Sequence, residues 1–247
     1  IAIEEIARID ASASVVMSVN NSLVCYLLES FASDFIKENY LSKLTTGEKL
    51  GAFSLSEPQS GSDASNMKTI AKKVGDDYVV SGTKNWVTSG INCDYVILFA
   101  VTKQGIGHKG VSAFVVDKEW EGFSCGKPEN KLGIRASDTC ELYFDNVKIP
   151  KENLIGEEGM GFKIALATLD GGRIGIAAQA LGIAQASLDA SISYSKERIQ
   201  FGKPISANQG IQFKLADMAM EIEASRLIIR QAAYLKDKHL NFGPMAS

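Results

Sequence analysis

The chain has 247 residues, of which 45% are hydrophobic and 22% are charged, the composition of a protein that buries a core. Its formal net charge of -3 supplies no positive field for nucleic acid or for an anionic membrane, so neither partner is expected. The longest near-apolar runs, such as residues 95–101, are too short to cross a bilayer, and no membrane span is predicted.

Hydrophobic spacing divides the chain into three predicted parts, residues 1–48, 49–150 and 151–247. The first part is helical, because Leu23, Leu27 and Phe31 recur at intervals of four residues. In the second part the period changes to two, and short apolar runs alternate with turns such as residues 75–77, Gly-Asp-Asp. This pattern predicts an antiparallel β-sandwich or β-barrel.

The third part returns to helical spacing. One helix is predicted from Met160 to Lys196, interrupted by the glycine pair at 171–172, and a second is predicted after Pro204 with Ser206 as its N-cap. The predicted fold class is therefore multi-domain α and β: a helical segment, a central antiparallel β-barrel or sandwich, and an incomplete C-terminal helical bundle. This order of blocks argues against a doubly wound α/β fold.

A dinucleotide-binding sequence motif occurs at residues 105–110, where Gly-Ile-Gly-His-Lys-Gly matches GxGxxG. A dinucleotide site needs a helix directly after this loop, so that the helix N-terminus meets the pyrophosphate. Residues 111–116 instead resemble a strand, which favours a loop between two strands. The cysteines and histidines form no CxxC pair or other ligand spacing, so no metal site is expected, and the thiols are expected to be reduced.

Two segments of the β region carry polar groups in patterns that suit a flat, anionic ligand. Residues 53–63, FSLSEPQSGSD, combine hydroxyls with Pro and Gly, which is typical of an anion-binding loop and also of an ordinary turn. Residues 84–90, KNWVTSG, place Trp86 and Thr88 two positions apart, on one face of a strand. Tryptophan in a strand is also a common core residue, so this segment alone leaves both interpretations open.

Together with three further segments, these motifs resemble the acyl-CoA dehydrogenase family. The further segments are KLGIRASDT at 131–139, DNVKIPKENLIGEEGMGFKIAL at 145–166 and YSKERIQFGKPI at 194–205. The helix at 169–189 and the helix beginning near residue 211 are most similar to the short-chain, butyryl-CoA type. The resemblance runs in order along the chain, with residues 1–48 similar to the helices that precede the β-domain.

The resemblance implies a flavoprotein oxidoreductase of fatty acid metabolism (β-oxidation), which is usually a homotetramer. Such enzymes use FAD to oxidise an acyl-CoA to the trans-2-enoyl-CoA, and pass electrons to electron-transfer flavoprotein. The implied compartment is a bacterial cytoplasm or a mitochondrial matrix. An acyl-CoA oxidase, or a non-catalytic flavin- or acyl-CoA-binding protein, are the alternative functions.

The resemblance also implies residue roles. Ser62 would touch both the cofactor and the substrate, and Thr88 would donate its hydroxyl toward flavin N5, where negative charge accumulates. The implied FAD-binding residues are Phe53, Leu55, Ser56, Ser62, Trp86, Val87, Thr88, Arg198 and Gln209, the last two reaching a neighbouring subunit. The implied acyl-CoA-binding residues are Ser62, Asp170, Gly171, Gly172 and Arg173. A capping box with Ser206 is the structural alternative for Gln209.

Two departures from the family pattern bear on catalysis. Gln59 and Ser60 stand where many members have Gly-Ala. The catalytic glutamate of the short-chain type lies in a C-terminal loop, so we expect the base beyond Ser247 and name no catalytic residue within the chain. Other members place it just before the helix arginine, where this chain has Gly172, and Glu57 is not a candidate. The chain opens on Ile1 inside a predicted helix, and we expect it to be part of a longer protein that is inactive in this form.

Overall fold

The computed structural model describes all 247 residues, and they form two compact units. One unit contains residues 1–15 and 173–247, and the other contains residues 16–172. The helices are α1 (Ala2–Ala7), α2 (Ala11–Phe31), α3 (residues 34–45), α4 (Gly161–Glu197), α5 (Gln209–Asp237) and α6 (Gly243–Ala246). Helices α2 and α3 contain π-helical stretches at Val19–Cys25 and Lys37–Leu41. The order of helices, β block and long helices confirms the predicted fold class.

The β block consists of eight strands in one sheet. They are β1 (Gly51–Ser54), β2 (Ile70–Val74), β3 (Asp77–Thr88), β4 (Tyr95–Val101), β5 (Val111–Asp117), β6 (Phe123–Cys125), β7 (Thr139–Ile149) and β8 (Leu154–Ile155). Their order is β6-β7-β3-β2-β4-β5-β8, with β1 beside β4. The short strands β9 (Ile199–Gln200) and β10 (Lys203–Pro204) form a separate hairpin after α4. The predicted hairpin at 75–77 joins β2 to β3, where Val74 pairs with Asp77.

The sheet differs from the prediction in two respects. It is open, because its two end strands, β6 and β8, are not paired with each other, so no barrel closes. It is also mixed, because β4 pairs in parallel with β1 and, through Ile70 and Val101, with β2. Period-two spacing identifies strands but carries no information about the direction of their partners, which explains why the sequence suggested a wholly antiparallel sheet.

Strands β4 and β5 are buried on both faces, and they separate two apolar cores. On β4, Ile97 and Phe99 enter the core that also contains residues of α2 and α3. The alternate residues Val96 and Leu98 enter the second core, which is shared with β2, β3 and β7. Strands β4 and β5 therefore pack across the second core against β3 and β7 of the same sheet, as in a sandwich. Because both faces of β4 are buried, its sequence is continuously apolar.

Helix α2 is long and apolar enough to cross a membrane by length and composition, a test that core helices of globular proteins also pass. Its residues Val24, Leu27 and Leu28 are fully buried in the first core. Asn20 is also buried, and its side-chain oxygen accepts a hydrogen bond from the Gly51 amide at 3.0 Å. The apolar character of this half of the helix is therefore used in packing against the sheet.

The GxGxxG segment is a loop between β4 and β5, as predicted. A short 3-10 turn, Gly107–Gly110, leads directly into β5 and no helix follows. Gly110 is required for packing, because a Cβ there would lie 1.9 Å from the carbonyl oxygen of Lys103. The motif is therefore part of the loop that connects β4 to β5.

The predicted interruption of α4 at residues 171–172 is wrong, because the helix runs unbroken from Gly161 to Glu197. A Cβ on Gly172 would lie 2.5 Å from Cδ2 of Leu23 in α2, so the glycine allows two helices to approach closely. The helical cost of glycine is about 1 kcal/mol, which close packing can offset.

The predicted N-cap of α5 is also wrong. A 3-10 turn at Ile205–Ala207 contains Ser206, and the N-cap is Asn208, whose side chain makes no capping hydrogen bond. Gln209 is the first residue of the helix and therefore cannot occupy the third helical position that a capping box requires. A capping box with Ser206 is therefore excluded for Gln209. The implied role of Gln209, contact with the FAD of a neighbouring subunit, remains a prediction.

Candidate functional site

The first predicted motif begins on β1 and continues as a loop. Phe53 is half-buried, and its ring lies 5.1 Å from that of Phe99 in the first core. Leu55 packs against the same core, whereas Ser56 is half-exposed and Ser62 is exposed. The apolar residues of the motif therefore anchor the loop, and its hydroxyls remain accessible.

The structure brings this loop against the second motif on β3. The amide of Asn85 donates a hydrogen bond to the Ser56 carbonyl at 2.9 Å. Lys84, which precedes Asn85, is fully buried, and its Nζ lies 2.8 Å from Oε1 of Glu57. The same Nζ donates to the Leu55 carbonyl at 3.0 Å. The two segments that the sequence predicts to share a ligand are thus joined by direct contacts.

The Glu57 carboxylate collects further donors from the loop. It accepts hydrogen bonds from the amides of Lys68, at 2.6 Å, and Thr69, at 3.0 Å, and from Nε2 of Gln59 at 2.7 Å. Gln59 stands where many members of the family have glycine, and here its side chain adds a contact to the ion pair. The departure from the family pattern is accommodated within the loop.

Charge compensation keeps this buried pair ionised. Burial by itself raises the pKa of Glu57, but the Lys84 charge and the hydrogen bonds outweigh burial and lower the pKa to about 2. Burial lowers the pKa of Lys84 to about 8, against the opposing effect of Glu57. At neutral pH both groups carry charge, and Glu57 is a weak base because its pKa is far below neutral and its oxygens already accept four hydrogen bonds.

A β-bulge distorts the end of β3. The register with β7 shifts between Lys84 and Val87, and Trp86 takes a left-handed backbone conformation with φ of 59°. The indole is 63% exposed, whereas Val87 is buried and Thr88 is half-exposed. The bulge thus leaves an exposed indole two residues from a half-exposed threonine at the end of β3.

The donor groups of these two motifs suit a flat ligand with an anionic tail. The hydroxyls of Ser56, Ser62 and Thr88 make no hydrogen bond within the chain. In the same region, Oδ1 of Asn85 and Oγ of Ser89 are buried without a hydrogen-bond partner. Unsatisfied polar groups and an exposed indole on the same two motifs fit the isoalloxazine ring and pyrophosphate of the flavin that the resemblance implies.

The predicted acyl-CoA residues lie in consecutive positions on α4. Asp170 is half-exposed and Arg173 is exposed, so both can meet a ligand. Gly172 stands at the position where other members of the family carry their base, and a side chain there would require the end of Leu23 to shift, because an added Cβ would lie 2.5 Å from its Cδ2. Within this turn, Arg173 offers the cationic contact for a polyanion.

The two residues predicted to reach another subunit lie after α4. Arg198 and Gln209 are both exposed, Arg198 directly after α4 and Gln209 at the start of α5. The backbone of Arg198 is held at both ends, by its amide to Tyr194 and by its carbonyl to the Ile205 amide. This leaves both side chains available at the surface of the helical unit.

Sequence reasoning missed Lys84. The strand pattern contained a usable signal, because Lys84 shares the parity of Tyr78 and Val80, which face the core. A lysine at an inward position of a strand requires a buried partner of opposite charge. The identity of that partner, 27 residues earlier in the chain, could not be read from the pattern.

Family comparisons cover nearly the whole chain. The sequence models described as the N-terminal, middle and C-terminal domains of acyl-CoA dehydrogenase match residues 1–48, 52–147 and 159–247. The chain is 51% identical over 242 residues to the mitochondrial short-chain specific acyl-CoA dehydrogenase of Mus musculus, covering 98% of the chain and 59% of that protein. The chain therefore spans about three fifths of the length of this relative.

Comparison with solved structures also finds similarity over nearly the whole chain. Butyryl-CoA dehydrogenase from Megasphaera elsdenii is 48% identical, with a TM-score of 0.98 over 99% of this chain and 64% of its own. A chain in a structure of the electron transferring flavoprotein of Acidaminococcus fermentans, a study of flavin-based electron bifurcation, is 45% identical. It also has a TM-score of 0.98, over 99% of this chain and 64% of that one.

Proposed function

The chain belongs to the acyl-CoA dehydrogenase family, and from this premise we propose that its parent protein oxidises a short-chain acyl-CoA, such as butyryl-CoA, to the trans-2-enoyl-CoA. FAD is the proposed cofactor, and electron-transfer flavoprotein is the proposed electron acceptor. One observation carries the proposal: the loop at 53–63 and the bulge of β3 are joined, and these two segments carry both the unpaired hydroxyls and an exposed indole.

In this proposal the chain binds and orients the cofactor. FAD, when bound, supplies the hydride-accepting chemistry of the reaction. Trp86 would cover one face of the ring, and Thr88 would donate its hydroxyl to the ring edge where negative charge develops. Ser56 and Ser62 would donate to the remaining polar atoms and the pyrophosphate, and Phe53, Leu55 and Val87 would hold these groups in place through their packing in the two cores.

The acyl-CoA is assigned to the helical turn at 170–173 and to Ser62. Arg173 neutralises part of the negative charge of the CoA moiety. The α-proton base is not assigned to a residue of this chain, because the low pKa of Glu57, beside Lys84, makes it a weak base and position 172 is a glycine, which has no carboxylate. We also propose a homotetramer, in which Arg198 and Gln209 extend the cofactor site of a neighbouring subunit.

An anaerobic titration of the whole gene product with butyryl-CoA tests the reaction. We expect the visible band of the bound flavin to bleach, and to recover on addition of electron-transfer flavoprotein. A flavin that binds and stays oxidised would leave only a binding function, and rapid recovery in air would indicate an oxidase. Residues 1–247 alone should bind FAD and stay oxidised, so bleaching by this chain would place a base within it.

A further inference from the structure

The buried ion pair between Lys84 and Glu57 makes contacts that stability alone does not explain. Replacement of a buried ion pair by neutral side chains is often neutral for stability, because desolvation cancels much of the attraction between the charges. Here, however, both side chains of the pair also form hydrogen bonds with other groups. Besides the side chain of Gln59, the hydrogen-bond partners of the pair include main-chain groups of one loop: the carbonyl of Leu55 and the amides of Lys68 and Thr69.

These main-chain contacts lie at both ends of the loop that carries Ser56 and Ser62. Leu55 is the residue where β1 passes into the loop, and Lys68 and Thr69 directly precede β2. Lys84 itself lies just before the bulge, two residues from Trp86 and four from Thr88. A single pair of side chains therefore contacts both ends of the loop and the strand that carries the bulge.

We propose that Lys84 and Glu57 are positioning residues, which hold the loop at 55–69 and the bulge of β3 in the arrangement that binds the flavin. The proposal rests on the proposed function, since it takes FAD as the ligand of this site. Neither residue needs to touch the cofactor. The pair acts through Ser56, Ser62 and Thr88, whose hydroxyls must converge on one ligand.

The test compares the single variants Glu57→Gln and Lys84→Met with the double variant. The double variant removes both charges together, so it should recover most of the stability that either single variant loses. If the pair positions the loop, the recovered double variant still binds FAD about tenfold more weakly than the unaltered chain. Its flavin band should also shift relative to that of the unaltered chain. Unchanged affinity and an unchanged band would overturn the proposal.

Amide hydrogen exchange without FAD gives a second readout that does not depend on the cofactor. The Asn85 amide, which donates to the Ser56 carbonyl, reports whether the loop stays against β3. We expect its exchange to be about tenfold faster in the double variant at matched global stability. Unchanged exchange would show that the pair does not hold the loop. Failure of the unaltered chain to bind FAD would instead overturn the proposed function, and the exchange result would still decide the positioning role.

Lys151→Met is the matched control, because Lys151 forms an exposed ion pair with Asp76 at 2.7 Å in the same unit. We expect it to leave FAD affinity, the flavin band and the exchange of Asn85 unchanged. An equal effect of this control would mean that the loss of any lysine charge weakens FAD binding, which would also overturn the proposal. If the double variant does not fold, Glu57→Asp, which keeps both charges and shortens the reach to the amides of Lys68 and Thr69, is compared with the control by the same measurements.

Discussion

The two compact units of the chain bury their apolar residues very differently. In the unit at 16–172, two extensive cores enclose the sheet on both faces, and β4 alone contributes six consecutive buried residues. In the helical unit, the buried core cluster consists of Leu181, Leu188 and Ile222. Strands that pack on both sides need partners from distant parts of the chain, whereas two helices in contact bury only a narrow stripe of each.

The difference is clearest on α5. This helix of 29 residues has only Ile222 and Ala232 buried, and it exposes large apolar side chains along its length. Between α4, α5 and α6 lies an apolar groove with a volume of about 710 Å³, lined on α4 by residues such as Ile174 and Leu181. The helical unit is therefore expected to be the less stable of the two.

The largest expected effect comes from truncation of a core leucine in the β-containing unit. Leu98→Ala removes a fully buried side chain between two strand layers that cannot collapse around the gap, and should cost about 4 kcal/mol of unfolding free energy. Leu188→Ala in the helical unit, beside an open groove, should cost about 2.5 kcal/mol. Urea denaturation measures both, and equal costs would contradict the comparison.

Low pH should also lower the unfolding free energy of the β-containing unit, because Glu57 becomes protonated. Its pKa in the folded chain is about 2, below the ordinary value of 4.5, so its stabilising contribution is complete above pH 4.5 and is lost as the pH falls toward 2. The loss amounts to up to about 3 kcal/mol. Unfolding measured across this range should show a shallower slope in the Glu57→Gln and Lys84→Met double variant, and an identical slope would contradict the assignment.

A smaller effect is expected where α1 and α4 meet in the helical unit. A Cβ on Gly182 would lie 2.3 Å from the Glu4 carbonyl oxygen, which is main chain and cannot rotate away. Gly182→Ala should therefore cost about 2 kcal/mol through forced separation of the helices. Gly210→Ala on α5 is the control, because no atom lies within 4 Å of the added Cβ, and it should leave stability unchanged or raised. Thermal unfolding of both variants gives the comparison.

The smallest effect is expected on the exposed face of α5. Leu227 is exposed, so Leu227→Gln should change the unfolding free energy by less than about 0.5 kcal/mol. Binding of a hydrophobic dye to the helical unit should fall, because the exposed apolar surface shrinks. A large loss of stability would mean that this residue is buried in solution.

Much of the fold follows from local sequence patterns. The period-two runs identified the strands, and Gly75 identified a two-residue hairpin, because only local backbone geometry is involved in either case. The wrong predictions concern contacts with distant residues. The glycine pair interrupts the helical pattern of α4, but the helix continues through it, and the residue that packs against Gly172 is Leu23 of α2, which no local pattern contains.

For the candidate site, the sequence by itself determined the family resemblance and which residues are polar or aromatic within the two motifs. Their order and residue types are local properties that a single chain displays directly. Only the tertiary structure decided that Trp86 sits in a strained bulge and that Lys84 is buried against Glu57. Burial and charge pairing depend on how segments far apart in the chain meet. Lys84 and Glu57 meet away from water, where a single charge would be costly, and this is why each needs the other as a partner.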